Sequence, residues 1–459
     1  MKKQHSNSFT TLVTLIAALG GLLFGFDMAV VSGIIDPVRT QFGLSASQEG
    51  WFVSCALLGC ITGVAFSGYL ADKIGRKKVL FIAAILFLVS AACFSIANAY
   101  TLMIAFRIMA GMGVGVASNI SPLYISELAP AKSRGRLVTF YQLAITIGIL
   151  SAYISNLFLQ RYSASHSPQG LAGWLFVTEV WRGMFLVGVI PAAAFFVLLL
   201  IVPESPRWLA RYGREGEALD ILTRINGAAL AKEELAGMKA ISAHNAGSVE
   251  LWRMPLRKLL ILATVLTALS QFSGINAVIY YGPTILRTAG IVTNEALLYQ
   301  VILGAANMLF TFIAICKVDS LGRRPLYLVG SVCAAIALSL TGLCFLNNIT
   351  GWWMLASISL FLLFFAFSLG PLKFVIATEI FPTHVRGTAL SICILTMWVS
   401  DWIVNLLFPM LRDHIGIGAT FFLFAGCCVI SYFFARKNLF ETKGRTLEEI
   451  SLTINPAST

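Results

Sequence analysis

Residues 72–77 read Asp-Lys-Ile-Gly-Arg-Lys, and residues 319–324 read Asp-Ser-Leu-Gly-Arg-Arg. A second motif recurs in the same order: Glu127-Leu-Ala-Pro130 followed by Arg134-Gly135, then Glu379-Ile-Phe-Pro382 followed by Arg386-Gly387. The copies lie nearly half a chain apart, so the sequence repeats itself once in the same direction. Each copy sits in a basic loop after a long apolar run, and those runs decide the class. Hydrophobic residues fill 58% of the 459 positions and charged residues 12%, with a mean hydropathy of +0.83. No soluble domain of this size hides so much apolar surface. Runs long enough to cross a bilayer core, which takes roughly 20 residues, recur at about 10–35, 48–71, 79–97, 101–125, 137–159, 183–202, 259–286, 294–316, 325–346, 352–378, 387–411 and 416–435. The expectation is an all-α membrane protein of twelve transmembrane helices in two pseudo-symmetric six-helix bundles.

The net charge of +12 would suggest a nucleic-acid partner in a soluble chain, but its placement excludes that class. Lysines and arginines cluster in alternate loops, as in Asp72 to Lys78, Lys132 to Arg136 and Lys317 to Arg324. Only Arg39, Arg161, Arg182, Arg287 and Arg412 fall on the opposite side, and Arg107 and Lys373 lie within spans. By the positive-inside bias both termini are cytoplasmic, in a plasma or bacterial inner membrane. The first run is too long for a signal peptide and lacks a small-residue cleavage site, so it stays as a span. The nine cysteines show no CxxC spacing and read as small buried hydrophobes. Neither a metal site nor a cofactor is expected. Between spans 6 and 7, Pro203 to Pro255 carries Glu, Lys, Ala and Leu at helical spacing over Glu215–Ile225 and Ala231–Ile241. The division expected is therefore 1–202 as one bundle, 203–256 as a cytoplasmic amphipathic-helix linker, 257–436 as the second bundle and 437–459 as a cytoplasmic tail.

The stretch Leu19 to Val31, LGGLLFGFDMAVV, places one carboxylate, Asp27, inside the first span. A charge at that depth costs roughly 2.5–3.5 kcal/mol on insertion scales and needs a partner, a proton or water. Arg107, the lone cation of the fourth run, is the candidate partner. The pair reads as a proton-sensitive ion pair, with a static pair fixing helix register as the alternative. Lys373 and Asp401 are charges in spans 10 and 11. They read as a mutually compensating pair or as groups that recognise substrate.

With these motifs the chain resembles the sugar porter family of the major facilitator superfamily, from Gly20 to Glu449. The residues that carry the resemblance are Gly20-Gly21 with Gly25-Phe26-Asp27, Gly68 to Lys77, Pro122 to Glu127 with Arg134-Gly135, Pro203-Glu204-Ser205-Pro206-Arg207-Trp208-Leu209, Gln271-Phe272 with Gly274-Ile275-Asn276, Asp319 to Arg324, Glu379 to Pro382, and Glu441-Thr442-Lys443-Gly444. The resemblance implies alternating access between two halves around a midplane site. In the proton-coupled members the first-span Asp takes the proton and the fourth-span Arg responds, which gives those roles to Asp27 and Arg107. Physically, an arginine neighbour favours the ionised carboxylate and desolvation the neutral acid, so parting the two can load or release a proton. Gly188 aligns where some relatives carry a further acid. Substrate contacts implied are Gln142, Gln271, Asn276, Asn307 and Trp398, because a polyhydroxylated ring needs donors and acceptors on every edge. Tyr280 and Tyr281 match the aromatic pair that gates span 7. Asp72, Arg76, Glu127, Arg134, Glu204, Arg207, Asp319, Arg323, Glu379 and Arg386 match a cytoplasmic salt-bridge latch.

Departures from the family pattern are Ser270 for the first of two adjacent glutamines, Ile149 for a span-5 glutamine, Phe374 for the span-10 tryptophan, Met397 before Trp398, and Asp401 for an asparagine. The expectation is a proton-coupled symporter of a sugar or sugar-like polyol, monomeric and not an enzyme. A carrier of a sugar acid using Lys373 and Asp401, or a facilitative or sensor-type porter, stands as the alternative.

Overall fold

The computed structural model describes residues 2–130, 134–167, 169–242, 251–252, 254, 256–381 and 383–441. Lys132, His244, Pro255, Pro382, and the motif residues from Thr442 to Glu449 lie outside the described residues. In chain order the helices are α1 (Lys2–Phe42), α2 (Ala46–Ile74), α3 (Arg76–Ile96), α4 (Tyr100–Leu128), α5 (Arg134–Ser165), α6 (Gly170–Gly173), α7 (Val180–Leu186), α8 (Val189–Leu198), α9 (Pro206–Arg211), α10 (Glu215–Asn226), α11 (Ala228–Ser242), α12 (Leu256–Gln271), α13 (Ile275–Thr288), α14 (Thr293–Leu321), α15 (Arg323–Leu346), α16 (Trp352–Phe367), α17 (Leu369–Ile380), α18 (Thr383–Ile415) and α19 (Ile417–Asn438). A single π turn, Trp174–Thr178, joins α6 to α7. Among the described residues, twelve helical stretches are long and apolar enough to span a membrane. Their outward faces carry large apolar residues such as Phe66, Ile85, Ile190, Val329 and Phe433, the surface a helix presents to lipid.

Two compact units form: Met1–Pro37 with Cys55–Asn245, and Val38–Ser54 with Ala246–Thr459. α1 runs through Pro37 to Phe42, about two turns beyond its apolar run, and α18 runs on to Ile415. Both ends extend past the hydrocarbon zone because a helix keeps its backbone bonds in water too. α2 opens on a reciprocal cap: the Ser45 and Gln48 side chains each accept the other's backbone N–H, at 3.0 Å for Ser45 and 3.4 Å for Gln48. The linker helices α9, α10 and α11 belong to the first unit, and α10 buries Ala218, Ile221, Leu222 and Ile225 along one face.

Three spans are interrupted. Span 6 divides at Val187 and Gly188 between α7 and α8, and begins at Val180, not at 183. Span 7 breaks between α12 and α13, where Gly274 takes φ +80°. Span 10 breaks at Ser368, between α16 and α17.

The repeated Asp-x-x-Gly-Arg motif makes the same turn twice. Gly75 (φ +102°) joins α2 to α3 and Gly322 (φ +81°) joins α14 to α15. Only glycine adopts that backbone cheaply, and the turn aims the first N–H groups of the next helix at an acid. Glu204 accepts from the N–H of Arg76 at 2.8 Å and of Lys77 at 3.1 Å. In the second unit Glu441 accepts from the N–H of Arg323 at 2.9 Å and of Arg324 at 3.1 Å. A carboxylate at a helix N-terminus satisfies orphan donors and meets the positive end of the helix dipole.

Candidate functional site

In the first unit α1 approaches α5 through two glycines one turn apart. A Cβ at Gly21 would lie 2.8 Å from the Tyr141 carbonyl oxygen, and one at Gly25 would lie 2.0 Å from that of Ile145. Small residues at that spacing let helix backbones touch. Two residues later the same helix presents Asp27 to Arg107 on α4, with Nη1 3.6 Å from Oδ2. Arg107 is fully buried and its guanidinium lies 6.0 Å from the Phe185 ring centre. Asp27 lines a cleft with Phe26, Val30, Ser90, Phe185 and Gly188. The glycine aligned with the missing third acid thus borders the same space as Asp27, and a Cβ there would sit 3.3 Å from the Phe26 ring. Gln142 is exposed on α5.

In the second unit the break in span 7 brings the expected amides together. Gln271 closes α12 and is 4% exposed, Asn276 is the second residue of α13 and half-buried, and Asn276 Nδ2 donates to Gln271 Oε1 at 3.3 Å. An unbroken helix would carry residues five apart to different faces. Asp401 on α18 lies near them, and its carboxylate accepts from Asn405 Nδ2 at 2.7 Å. Lys373 on α17 supplies the facing positive charge and lies 6.0 Å above the Phe365 ring. Lys373 and Asp401 are both buried, at 6% and 2% exposed.

Trp398 is buried and Asn307 half-buried. The Ser270 hydroxyl donates to the Thr267 carbonyl at 2.7 Å, within its own helix. Tyr280 and Tyr281 are buried, and Tyr281 stacks on Phe408 at 4.8 Å while its hydroxyl donates to the Asn405 carbonyl at 3.1 Å.

The acids and arginines of the repeated motifs pair within each unit. Arg76 forks onto Glu127 with two bonds of 3.1 Å and reaches Asp72 at 3.2 Å. Ser205 donates to the same Glu127 carboxylate. Arg323 donates to the two oxygens of Glu379, from Nη2 at 2.8 Å and from Nε at 3.2 Å. Bidentate pairs of this kind are directional and strong. Arg207 is exposed on α9. The side chains of Arg134, Asp319, Phe374 and Arg386 lie outside the described residues.

Sequence reasoning passed over three features. Asn405 stands one turn after Asp401, a spacing visible in the sequence. Glu49, only 1% exposed, takes a bidentate bond from Arg412 at 2.8 and 3.0 Å and is approached by Arg39 at 3.4 Å. Glu49 was the signal, an acid just inside the second apolar run. Arg182 stacks on Trp174 and Trp181 and donates to the Ser95 and Ala97 carbonyls that end α3, a helix cap with no sequence signature.

Apolar spans holding buried acid–base pairs and a buried amide pair are those of a polytopic membrane protein. Residues 13–453 match the family described as sugar (and other) transporter. The arabinose-proton symporter of Bacillus subtilis is 38% identical over 98% of this chain and 96% of its own length. The D-xylose-proton symporter of Escherichia coli is 37% identical over 99% of this chain and 98% of its own. The solved structure of the E. coli xylose transporter XylE, partially occluded and inward open, superposes with a TM-score of 0.84 at 36% identity, over 96% of this chain and all of that one. The chain belongs to the sugar transporter family, whose members move solutes and are not enzymes.

Proposed function

We propose that this chain carries a neutral sugar across the bacterial inner membrane together with a proton. One observation carries the reading: the buried Asp27–Arg107 pair borders a cleft, in a chain whose relatives are named arabinose-proton and xylose-proton symporters. Asp27 is the proton carrier. When ionised it holds Arg107; when protonated it loses that attraction and Arg107 turns to other acceptors. Gln271, Asn276, Asn307 and Trp398 of the second unit hold the sugar, and Gln142 and Phe374 are assigned to it on the family resemblance. The nearness of Asp401 to Lys373 supports a neutral solute over a sugar acid, since this buried cation already has an anion within electrostatic reach. Both termini lie in the cytoplasm, by the distribution of Lys and Arg. The motif pairs around Glu127 and Glu379 then lie on the cytoplasmic side and the Glu49–Arg412 pair on the other. The working form is a monomer.

Uptake of labelled pentoses, hexoses, inositols and sugar acids into proteoliposomes under an inward proton gradient tests the reading. Accumulation of a neutral sugar is expected. Uptake confined to a sugar acid would transfer recognition to Lys373.

A further inference from the structure

α13 carries Asn276 near its start, and the break at Gly274 separates it from α12. A helix continuous with its neighbour inherits that neighbour's rotation about the axis, whereas a helix cut free needs an anchor of its own. Gln300 on α14 supplies one. It is 2% exposed, and its Nε2 makes a three-centre bond to the Val278 carbonyl at 3.3 Å and the Ile279 carbonyl at 3.4 Å. Carbonyls only accept, so the nitrogen end of this amide must face them. Two neighbouring residues of α13 make its seat. A Cβ at Gly282 would lie 2.0 Å from Gln300 Oε1 and 2.4 Å from its Cδ, so the amide rests on bare backbone. Pro283, the next residue, has no N–H to give the Ile279 carbonyl four positions back, and Gln300 donates there instead.

The first unit repeats the arrangement around Asp27. Asn156 on α5 is fully buried and donates from Nδ2 to the Val30 carbonyl of α1 at 3.1 Å, and a Cβ at Gly33 would lie 2.5 Å from that nitrogen. Counted from Asp27 or from Asn276, a bonded carbonyl lies three residues on and the bare glycine six residues on. A buried amide seated on a glycine thus follows the working side chain of spans 1 and 7 alike.

We propose that Gln300 is a positioning residue for sugar recognition: by tying α13 to α14 it fixes the rotation that holds Asn276 beside Gln271 and toward the sugar. Gln300 itself does not touch the sugar. The Tyr281 hydroxyl anchors α13 at a second point, the Asn405 carbonyl of α18, so losing Gln300 alone misaims Asn276 without unfolding the helix. The inference rests on the sugar-transport reading above.

The test measures binding of D-xylose, L-arabinose and D-glucose, and of their analogues lacking one ring hydroxyl each, to wild type and Gln300→Met in detergent-solubilised full chain. Methionine has nearly the length of glutamine and no donor. Gln300→Met is expected to weaken binding of the parent sugar about 3- to 10-fold, the size of one neutral hydrogen bond. The deoxy analogue that lacks the hydroxyl meeting Asn276 should bind the two proteins within about twofold of each other. A structural weakening would instead lower every analogue alike. That uniform loss, or unchanged binding of the parent sugar, would overturn the proposal. Should Gln300→Met fail to fold, Gln300→Met/Pro283→Ala returns an N–H to the Ile279 carbonyl from within α13 but no tie to α14, and carries the same expectation. Wild type that binds none of the three sugars would overturn the transport reading, and the positioning role with it.

Discussion

Replacing Asp27 with Asn is expected to abolish gradient-driven sugar accumulation while leaving sugar exchange intact. A gradient of one pH unit stores about 1.4 kcal/mol per proton, so a one-proton symporter accumulates sugar about tenfold at that gradient. Asparagine has the shape of the protonated acid and cannot release a proton, so the coupled step disappears and accumulation falls to about unity. The Asp27–Arg107 separation of 3.6 Å and the cleft at Asp27 supply the physical basis: a carboxylate close enough to an arginine to be held when charged, and open enough to exchange a proton. Counterflow, in which labelled sugar enters against unlabelled sugar inside, should persist, because it needs no net proton movement. Asp27→Glu, which keeps the titratable group, should retain accumulation. Tenfold accumulation in Asp27→Asn would remove Asp27 from the proton path.

The second large effect belongs to Gly274. Its φ of +80° lies where a β-branched side chain costs roughly 1–2 kcal/mol, and a Cβ there would stand 2.3 Å from the Phe424 ring. Overpacking of that kind adds about 1–3 kcal/mol. Gly274→Val is therefore expected to lower stability by about 2–5 kcal/mol, read as a fall in unfolding temperature in detergent. It should also abolish sugar binding, because the break holds Gln271 and Asn276 within 3.3 Å. Pairing Gly274→Ala with Phe424→Ala separates the two causes: the smaller ring relieves the clash, and the backbone cost remains. A valine variant with native stability and binding would show that the break is incidental.

Much of this was legible in the sequence because membrane spans announce themselves. Twelve apolar runs were visible, and the repeated Asp-x-x-Gly-Arg motif marked two matching turns whose glycines and arginines behave alike in the two units. Asp27 and Arg107 stood out because a charge among apolar residues is conspicuous. Less legible was anything that depends on where a helix stops. The opening of span 6 at Val180 and its break at Gly188 have no periodicity to announce them, and the extension of α1 past Pro37 defies the usual reading of proline as a terminator. Glu49 and Arg412 sit 363 positions apart, beyond any local pattern. Lys373 and Asp401 were noticed as charges, but the bond that Asp401 accepts from Asn405 is a property of three dimensions. The four-residue spacing of Gly21 and Gly25 in an apolar run is itself a signal of close helix packing.

Sugar-evoked proton movement is the most direct measurement of the central claim. Full-length protein in sealed liposomes, with a pH-sensitive dye trapped inside and no imposed proton gradient, receives D-xylose or L-arabinose on the outside. Acidification of the lumen that follows sugar addition, saturates with sugar and vanishes in Asp27→Asn is the result expected of proton-coupled symport. Saturable sugar entry with no change in luminal pH would contradict it and make the chain a passive carrier.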